Sequence, residues 1–327
     1  MINAVIGATG HLGNTLVREL LKEEKEVRAV VLPNDNLAPL EGLDIDMMFG
    51  DITNYRFIKR ALKNADIVYH MAGAVVITSG KRKLLEKINV EGTENVVKAA
   101  MENNVRRLIY TSSVHALREP PKGTVIDETQ PFDPEQVFGD YSKTKAKASL
   151  SVLNAVKKGL DAVILCPTGI IGPNDFSISQ MGQFIIDFVQ GRLKAYVDGA
   201  YDFADVRDVA KGHILAAEKA KKGEVYILSG EKVTVEELVT YLREITKKQG
   251  PTVKLPFFIA QLAAPLTPIY YRFTHTKPLF TTYSLRVLAS NSLISSEKAR
   301  KELGYKSRPV KESLRDAYNW LKERGFI

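Results

Sequence analysis

A single cysteine in 327 residues rules out an intrachain disulfide framework. Cys166 sits in the apolar run Ala162-Val163-Ile164-Leu165-Cys166, where a packed small hydrophobe in a reducing compartment is the expected role. Histidine is also scarce: five residues, at 11, 70, 115, 213 and 275, with no metal-ligand spacing, so no metal is expected. Apolar runs are too short for a membrane span, since the uncharged stretch from Leu255 to Tyr271 is broken by Pro256, Pro265 and Pro268. Stable membrane insertion is therefore not expected. There is no Gly-x-Ser-x-Gly elbow, no internal repeat and no low-complexity segment. Met1 runs within five residues into a strand and a glycine turn, leaving no room for a secretion leader, and a cytoplasmic protein is expected.

Charge of one sign is not concentrated either. The net charge of +8 comes in short scattered runs, such as Lys81-Arg82-Lys83 and Lys219 to Lys222, between acidic neighbours. Solvated faces account for these better than a nucleic-acid stripe does, and no nucleic-acid partner is expected. With 45% apolar residues the chain can bury a large core, and its length exceeds one ordinary domain.

What is present is an alternation of short β-branched runs with stretches of helical period. Ala4-Val5-Ile6 precedes Leu12 to Leu21; Val27 to Leu32 precedes Phe57 to Leu62; Ile67-Val68-Tyr69 precedes Asn89 to Met101; Leu108-Ile109-Tyr110 precedes Tyr141 to Lys157; Ala162 to Leu165 follows. Strands apolar on both faces belong to a parallel sheet between helices, so the expected class is α/β with a doubly wound sheet. After Gly172-Pro173 the rhythm breaks into prolines and aromatics, where a smaller, mostly helical substrate lobe begins. The expected division is 1–171 plus about 202–230 for the core, and about 172–201 plus 231–327 for the second lobe.

Val5-Ile6-Gly7-Ala8-Thr9-Gly10-His11-Leu12-Gly13 follows the first strand and opens an amphipathic helix. Gly7 permits a tight turn, Gly10 lets backbone amides approach a pyrophosphate, and Gly13 allows the helix to press on the sheet. A dinucleotide is expected. The second strand ends Ala29-Val30-Val31-Leu32-Pro33 with no acid to grip a ribose 2′-hydroxyl, Asp35 lying beyond the proline. Val31 does not repel a 2′-phosphate and Arg28 could assist, so the residues lean slightly to NADP over NAD.

Together with Asp51-Ile52, His70-Met71-Ala72-Gly73, Asn89-Val90-Glu91-Gly92-Thr93, Tyr110-Thr111-Ser112-Ser113, Gly139 to Lys145, Gly172-Pro173, Asp202 to Ala210 and Lys298 to Tyr305, the glycine loop gives the chain its likeness. It resembles an extended short-chain dehydrogenase/reductase of the NAD-dependent epimerase/dehydratase superfamily, with a C-terminal lobe most like the dihydroflavonol reductase and 3β-hydroxysteroid dehydrogenase branch. The resemblance implies a Rossmann-type core. It implies that Asp51 and Ile52 border the adenine and that Ala72 and Gly73 give the dinucleotide a close backbone approach. It also places Thr9, His11, Leu12, Met71, Thr111, Ser112, Pro167, Thr168 and Gly169 at the cofactor, with Asn89 either orienting this region or capping a helix. His70 is read as a packed strand-end residue.

Four-residue spacing puts Tyr141 and Lys145 on one helix face. A tyrosine of ordinary pKa near ~10 exchanges protons poorly at neutral pH, and a neighbouring ammonium pulls it toward the working range. By resemblance Ser113, the second serine of its pair, holds the substrate oxygen, Tyr141 exchanges the proton, and Lys145 also bonds the nicotinamide ribose. His115 is read as an ordinary loop histidine, having no acid partner for a triad.

Sugar-nucleotide relatives carry an arginine and an asparagine before Gly172-Pro173, but this chain has Cys166-Pro167-Thr168-Gly169-Ile170-Ile171. Apolar residues from Phe176 to Phe188 and from Phe257 to Phe280 suggest an apolar cavity, most of them serving to pack the lobes. An NAD(P)-dependent oxidoreductase acting on an apolar ketone or secondary alcohol is expected. A sugar-nucleotide epimerase or dehydratase and a non-catalytic dinucleotide sensor are the alternatives. The family resemblance further suggests a homodimer through Asn89 to Met101 and Tyr141 to Lys157.

Overall fold

Residues 1–76, 80–264 and 282–327 are described in the computed structural model. Twelve strands occur among them: β1 (Ile2–Ile6), β2 (Glu26–Val31), β3 (Asp46–Phe49), β4 (Ala65–His70), β5 (Arg107–Thr111), β6 (Ala162–Pro167), β7 (Gly169–Ile171), β8 (Ala195–Val197), β9 (Ala200–Asp205), β10 (Val225–Leu228), β11 (Glu231–Thr234) and β12 (Val253–Leu255). Seven form one sheet in the order β10-β6-β5-β4-β1-β2-β3, every pair parallel. Helices α1 (His11–Lys22), α2 (Tyr55–Ala61), α3 (Arg82–Leu85), α4 (Gly92–Glu102), α5 (Asp140–Lys157), α6 (Gln180–Val189), α7 (Val206–Lys219) and α8 (Val235–Thr246) are the ones that position the site.

The period of two in the strands decides which helix layer each side chain meets. Along β6, Ala162, Ile164 and Cys166 face the cluster that contains Ile58 of α2, Val96 of α4 and Val152 of α5. Val163 and Leu165, between them, face Leu16 and Leu20 of α1 and Val209 of α7. Both faces of the sheet are covered, which is why the strands read as continuous apolar runs and not as alternating ones. Cys166 is fully buried and serves as a small hydrophobe. The doubly wound Rossmann-type sheet expected from the sequence is the observed architecture.

Beyond β6 the chain builds a second layer. A three-stranded sheet, β11-β9-β7, and a two-stranded one, β12-β8, join α6, α8 and the helix Val310–Glu323 around a separate core that includes Phe188, Leu242, Leu314 and Trp320. The region Asp202 to Ala217, read from sequence as a helix returning to the core, divides into strand β9 and helix α7, with the Asp205 side chain capping the Arg207 amide at 2.8 Å. Helix Glu297–Leu303 was assigned by its position in sequence to the second lobe, yet it packs on the core. Its Ala299 and Leu303, followed by Tyr305, enter the same buried cluster as α1 and α7. Apolar residues four apart outweighed sequence position. A charge network holds this end together: Arg207 bonds Asp205 and Asp316, and Arg308 bonds Asp208 at 2.7 Å. Among the described residues no helix is long and apolar enough to cross a membrane.

At the carboxyl edge of β1 the glycines permit contacts that no side chain could survive. Gly7 adopts φ +85, and a Cβ on it would lie 2.8 Å from the Ala72 nitrogen. A Cβ on Gly13 would lie 2.1 Å from the Gly7 oxygen, so α1 presses directly on the loop that precedes it. Gly13→Ala should therefore lower stability by about 1–3 kcal/mol, the usual cost of overpacking. Urea unfolding should show this as a lower midpoint at unchanged slope. A midpoint equal to that of the parent would contradict the close approach.

Candidate active site

Parallel strands open a crevice at their carboxyl ends, and the sequence places Met71 to Gly73, Thr111 to Ser113 and Pro167 to Gly169 at the carboxyl ends of β4, β5 and β6. Helix α5 runs back under this edge and contributes Tyr141 and Lys145. The Tyr141 phenol lies beside the Ser113 hydroxyl, which favours its ionised form. Ser113 Oγ also accepts from the His115 amide at 3.2 Å, which fixes its rotamer at the start of a short 3₁₀ turn.

Lys145 is 5% exposed. Its Nζ donates to the Thr111 carbonyl at 2.6 Å and lies 4.5 Å from the centre of the Tyr110 ring. Among the described residues no carboxylate lies within ion-pair distance of it. Burial thus lowers the lysine to about 7 and pushes the Tyr141 phenol up, the neighbouring Ser113 hydroxyl opposing the latter shift. Near neutral pH the pair stands at the boundary between a neutral amine and an ammonium beside a protonated phenol.

Asn89 resolves its two possible roles in favour of orientation. Its Oδ1 accepts from the Ala74 amide at 2.8 Å, and its Nδ2 donates to the Ala74 carbonyl at 3.1 Å and to Thr144 Oγ1 at 3.1 Å. One amide thereby joins the loop after β4 to the helix that bears Tyr141 and Lys145. Asn89 lies in a π-helical turn, Glu86–Glu91, a widening that turns it inward and that no spacing in the sequence announces.

The cleft fits a dinucleotide. The N-cap of α1 is Gly10, with no side chain over the first-turn amides. A Cβ on Gly73 would lie 3.3 Å from Asn89 Oδ1 and 3.8 Å from Lys145 Nζ, so the backbone of Gly73 comes close to the lysine with no side chain between them. Thr9 Oγ1 donates to Asp35, and His11 Nε2 donates to the Pro173 carbonyl at 2.8 Å. Leu12 packs on the core of α1. Asp51 is exposed at the edge, its carboxylate accepting the Thr53 amide, while Ile52 is buried beneath Gly92. The Met71 amide bonds the Ile6 carbonyl, and the Thr168 amide bonds that of Leu228.

Two of the expected cofactor contacts turn inward. Ser112 Oγ pairs with Ser149 Oγ at 2.7 Å on α5, and Thr111 Oγ1 donates to His213 Nε2 at 2.9 Å. These hydroxyls point into the sheet layers, so the two residues can meet a ligand through backbone alone. His70 is fully buried, bonded to Thr93 at 3.0 Å and lowered by burial to about 3, in keeping with a packed strand end.

The opposite wall was missed. His115 is half-buried and lowered by desolvation to about 4, its Nε2 lies 2.7 Å from the Tyr201 hydroxyl, and its ring stacks on Tyr201 at 5.5 Å. Tyr283 meets His115 edge-on at 6.1 Å and reaches Ser142 Oγ at 3.4 Å, while Phe138 stacks on Tyr283. Gly169 is required here, since a Cβ on it would lie 2.6 Å from the Phe203 ring and 2.9 Å from that of Tyr201. The position of His115 two residues after Ser113 was the one signal in the sequence. Phe176 and Phe188, read as possible cavity residues, pack in the core of the second lobe, Phe176 edge-on to Trp320 at 5.0 Å. Of the stretch from Phe257 to Phe280, residues 265–280 lie outside the described residues.

Lys145 carries a measurable consequence. Below about 7 the folded protein holds an ammonium in the cleft, and the burial cost is full. As pH rises from there toward 10.5 the folded form sheds a proton that the unfolded chain keeps, so stability increases. Lys145→Met, which removes the charge, should melt higher than the parent at about pH 6, with the advantage shrinking by about pH 9. A difference independent of pH would contradict the burial account.

Residues 4–236 match the 3-beta hydroxysteroid dehydrogenase/isomerase family. The chain is 37% identical to sterol demethylase protein B of Methylococcus capsulatus over 331 residues, the whole of both proteins. It is 31% identical to a Synechocystis protein named after dihydroflavonol 4-reductase, across 99% of this chain and 95% of that one. The crystal structure of gox2253 superimposes with a TM-score of 0.87 at 34% identity, covering 99% of this chain and 98% of that one. A sheet ordered for dinucleotide binding, the glycine loop and a match over most of the sequence lead to one conclusion: the chain belongs to the 3-beta hydroxysteroid dehydrogenase/isomerase family, within the NAD(P)-dependent extended short-chain dehydrogenases/reductases.

Proposed function

We propose that this protein is an oxidoreductase that interconverts a ketone and a secondary alcohol on a largely apolar substrate. The observation that carries this reading is Lys145 anchored on the Thr111 carbonyl, on the same helix as the Tyr141 phenol that lies beside the Ser113 hydroxyl. Gly7, Gly10 and Gly13 would hold the pyrophosphate, and Asp51 and Ile52 would border the adenine. Met71, Ala72 and Gly73 would approach the dinucleotide by backbone, with Lys145 reaching the nicotinamide ribose. The nicotinamide supplies the hydride for reduction and accepts it in oxidation.

The protein's own part is to hold the oxygen and move one proton. Ser113 and Tyr141 direct their hydroxyls at the carbonyl oxygen. As the carbonyl carbon gains hydride, the π electrons move to oxygen, and Tyr141 gives its phenolic proton to the resulting alkoxide. Lys145 stabilises the phenolate left behind, and oxidation runs the same transfers in reverse. The walls suit an apolar substrate: His115, Phe138, Tyr201, Phe203 and Tyr283 present aromatic faces, with one cation beside them, the Arg286 guanidinium 4.0 Å from the centre of the Phe138 ring. A sugar-nucleotide substrate would call for cations to meet its diphosphate, and the segment from Cys166 to Pro173 supplies none. An intact Ser113, Tyr141 and Lys145 set weighs against a mere sensor.

The lean to NADP rested partly on Arg28. That guanidinium is spent on Asp46 at 2.7 Å and on the carbonyls of Ala61 and Lys63, while the Asp35 carboxylate lies against Thr9 of the glycine loop. This arrangement favours NAD, because a carboxylate accepts a ribose hydroxyl and repels a phosphate. The homodimer remains a proposal. The groove between α4 and α5 combines Val97, Met101 and Ala155 with Glu94, Lys98, Glu102 and Lys158, and mixed charge can complement itself across a two-fold axis.

A screen of ketones followed by absorbance of the reduced cofactor should show net consumption, which an epimerase would not give. In Tyr141→Phe, turnover should fall by roughly 10²- to 10⁴-fold with dinucleotide affinity retained. Turnover equal to the parent would refute the assignment. With the parent protein NADH should give the higher kcat/KM, and Asp35→Ser should narrow the gap to NADPH. A strong preference for NADPH in the parent would restore the sequence lean.

A further inference from the structure

Helix α1 does more than close the glycine loop. Its first turn is tied to residues 172–179, the segment that leaves the sheet and opens the second lobe. His11 Nε2 donates to the Pro173 carbonyl at 2.8 Å, and His11 Nδ1 lies 3.9 Å from Asp175 Oδ1. Asn14 is fully buried, and its Nδ2 reaches both the Gly10 carbonyl at 2.8 Å and the Asn174 carbonyl at 3.0 Å. One side-chain amide thus bridges the pyrophosphate loop and the opening of the substrate lobe. Its Oδ1 has no hydrogen-bond partner among the described residues, so the amide is held by its donors alone.

The segment itself is under backbone strain. Asn174 takes φ +68 and Ile178 takes φ +47. A β-branched residue in the left-handed region is a true outlier and persists only where neighbours enforce it. Asp175 enforces it from within: 3% exposed, it accepts the Ser179 amide at 2.7 and 2.9 Å and lies so close to α6 that a Cβ on Gly182 would be 2.4 Å from its Oδ2. From outside, the core of the second lobe holds Phe176 and Ile178, and on the side of the glycine loop the contacts are those of His11 and Asn14.

We propose that His11 and Asn14 couple dinucleotide binding to the conformation of residues 172–179, so that filling the glycine loop stabilises the strained segment and with it the entry to the substrate lobe. The coupling rests on the dinucleotide reading above. Pyrophosphate on the first-turn amides orders Gly10 and His11, and the Gly10 carbonyl and His11 ring are the atoms through which α1 holds the segment. By linkage, whatever fixes residues 172–179 must tighten the dinucleotide by the same factor. His11 and Asn14 act here as positioning residues and need not touch the substrate.

Hydrogen exchange with NAD⁺ and with NADP⁺ as the probes tests this without knowledge of the substrate. In the parent protein either dinucleotide that binds should slow exchange in 7–14, in 71–74 and in 172–182, the last by at least about fivefold, the lower end of ordinary coupling between sites. In His11→Ala and in Asn14→Ala, protection of 71–74 should remain while that of 172–182 is lost. His11→Gln, whose amide can still donate to the Pro173 carbonyl, should restore it. Protection of 7–14 and 71–74 without 172–182 in the parent, or equal protection of 172–182 in His11→Ala, would overturn the coupling and leave the dinucleotide reading standing. No protection anywhere with either dinucleotide would overturn both. If Asn14→Ala proves unfolded by circular dichroism, the comparison of His11→Ala with His11→Gln decides alone.

Discussion

The hydrogen bond from Lys145 to the Thr111 carbonyl, 2.6 Å long and closed off from solvent, is the constraint on which the site depends. Among the described residues no carboxylate offsets the burial of this amine. The protein holds it with one carbonyl, the face of Tyr110 and the packing of α5 on β5. The amine stays titratable near neutral pH, and the adjoining phenol is kept protonated by the same burial. Neither shift serves stability. Together they leave a protonated phenol and a titratable amine on one face of α5, close to the backbone of Gly73, and the proposed exchange with a carbonyl oxygen calls for such a pair.

How much of this was readable in advance depended on the range of the interaction. Val5-Ile6-Gly7 and the glycines at 10 and 13 act within a few residues of one another, so a strand, a turn and a helix follow from local sequence. The buried strands announced themselves by their unbroken apolar character. Tyr141 and Lys145 could be placed on one helix face by spacing alone, but their link to Ser113 came from resemblance, since 28 residues separate the serine from the tyrosine. Tyr201 and Tyr283 gave no sign, because each reaches the site from a separate element whose approach is set by packing of the second lobe. The π-helical turn at Asn89 was equally silent. Helix Glu297–Leu303 was misplaced for the related reason that chain order says little about which core a late helix joins.

The two lobes differ in what they contribute. The sheet layer supplies backbone edges, small residues and the proton-transfer groups, all set by hydrogen-bonded elements that leave little freedom. The second lobe supplies the aromatic surface formed by Tyr201, Phe203 and Tyr283 against His115, which in the proposed reading selects the molecule that lies beside the phenol. Gly169 sits at the join, small enough to let two rings pass, and the contacts of His11 and Asn14 with the segment after β7 form a second join on the cofactor side. Fold and family are shared with many enzymes; selectivity is carried by these few contacts between lobes.

The central claim is that one phenol exchanges a proton with a substrate oxygen beside a bound nicotinamide. A crystal structure with the dinucleotide in place tests it most directly. The account predicts the Tyr141 hydroxyl facing the reactive ring carbon across a gap that admits one carbonyl group, with reacting atoms roughly 3–3.5 Å apart once a ketone is bound. A nicotinamide lying on the far side of the crevice, or a Tyr141 hydroxyl directed into solvent, would contradict it.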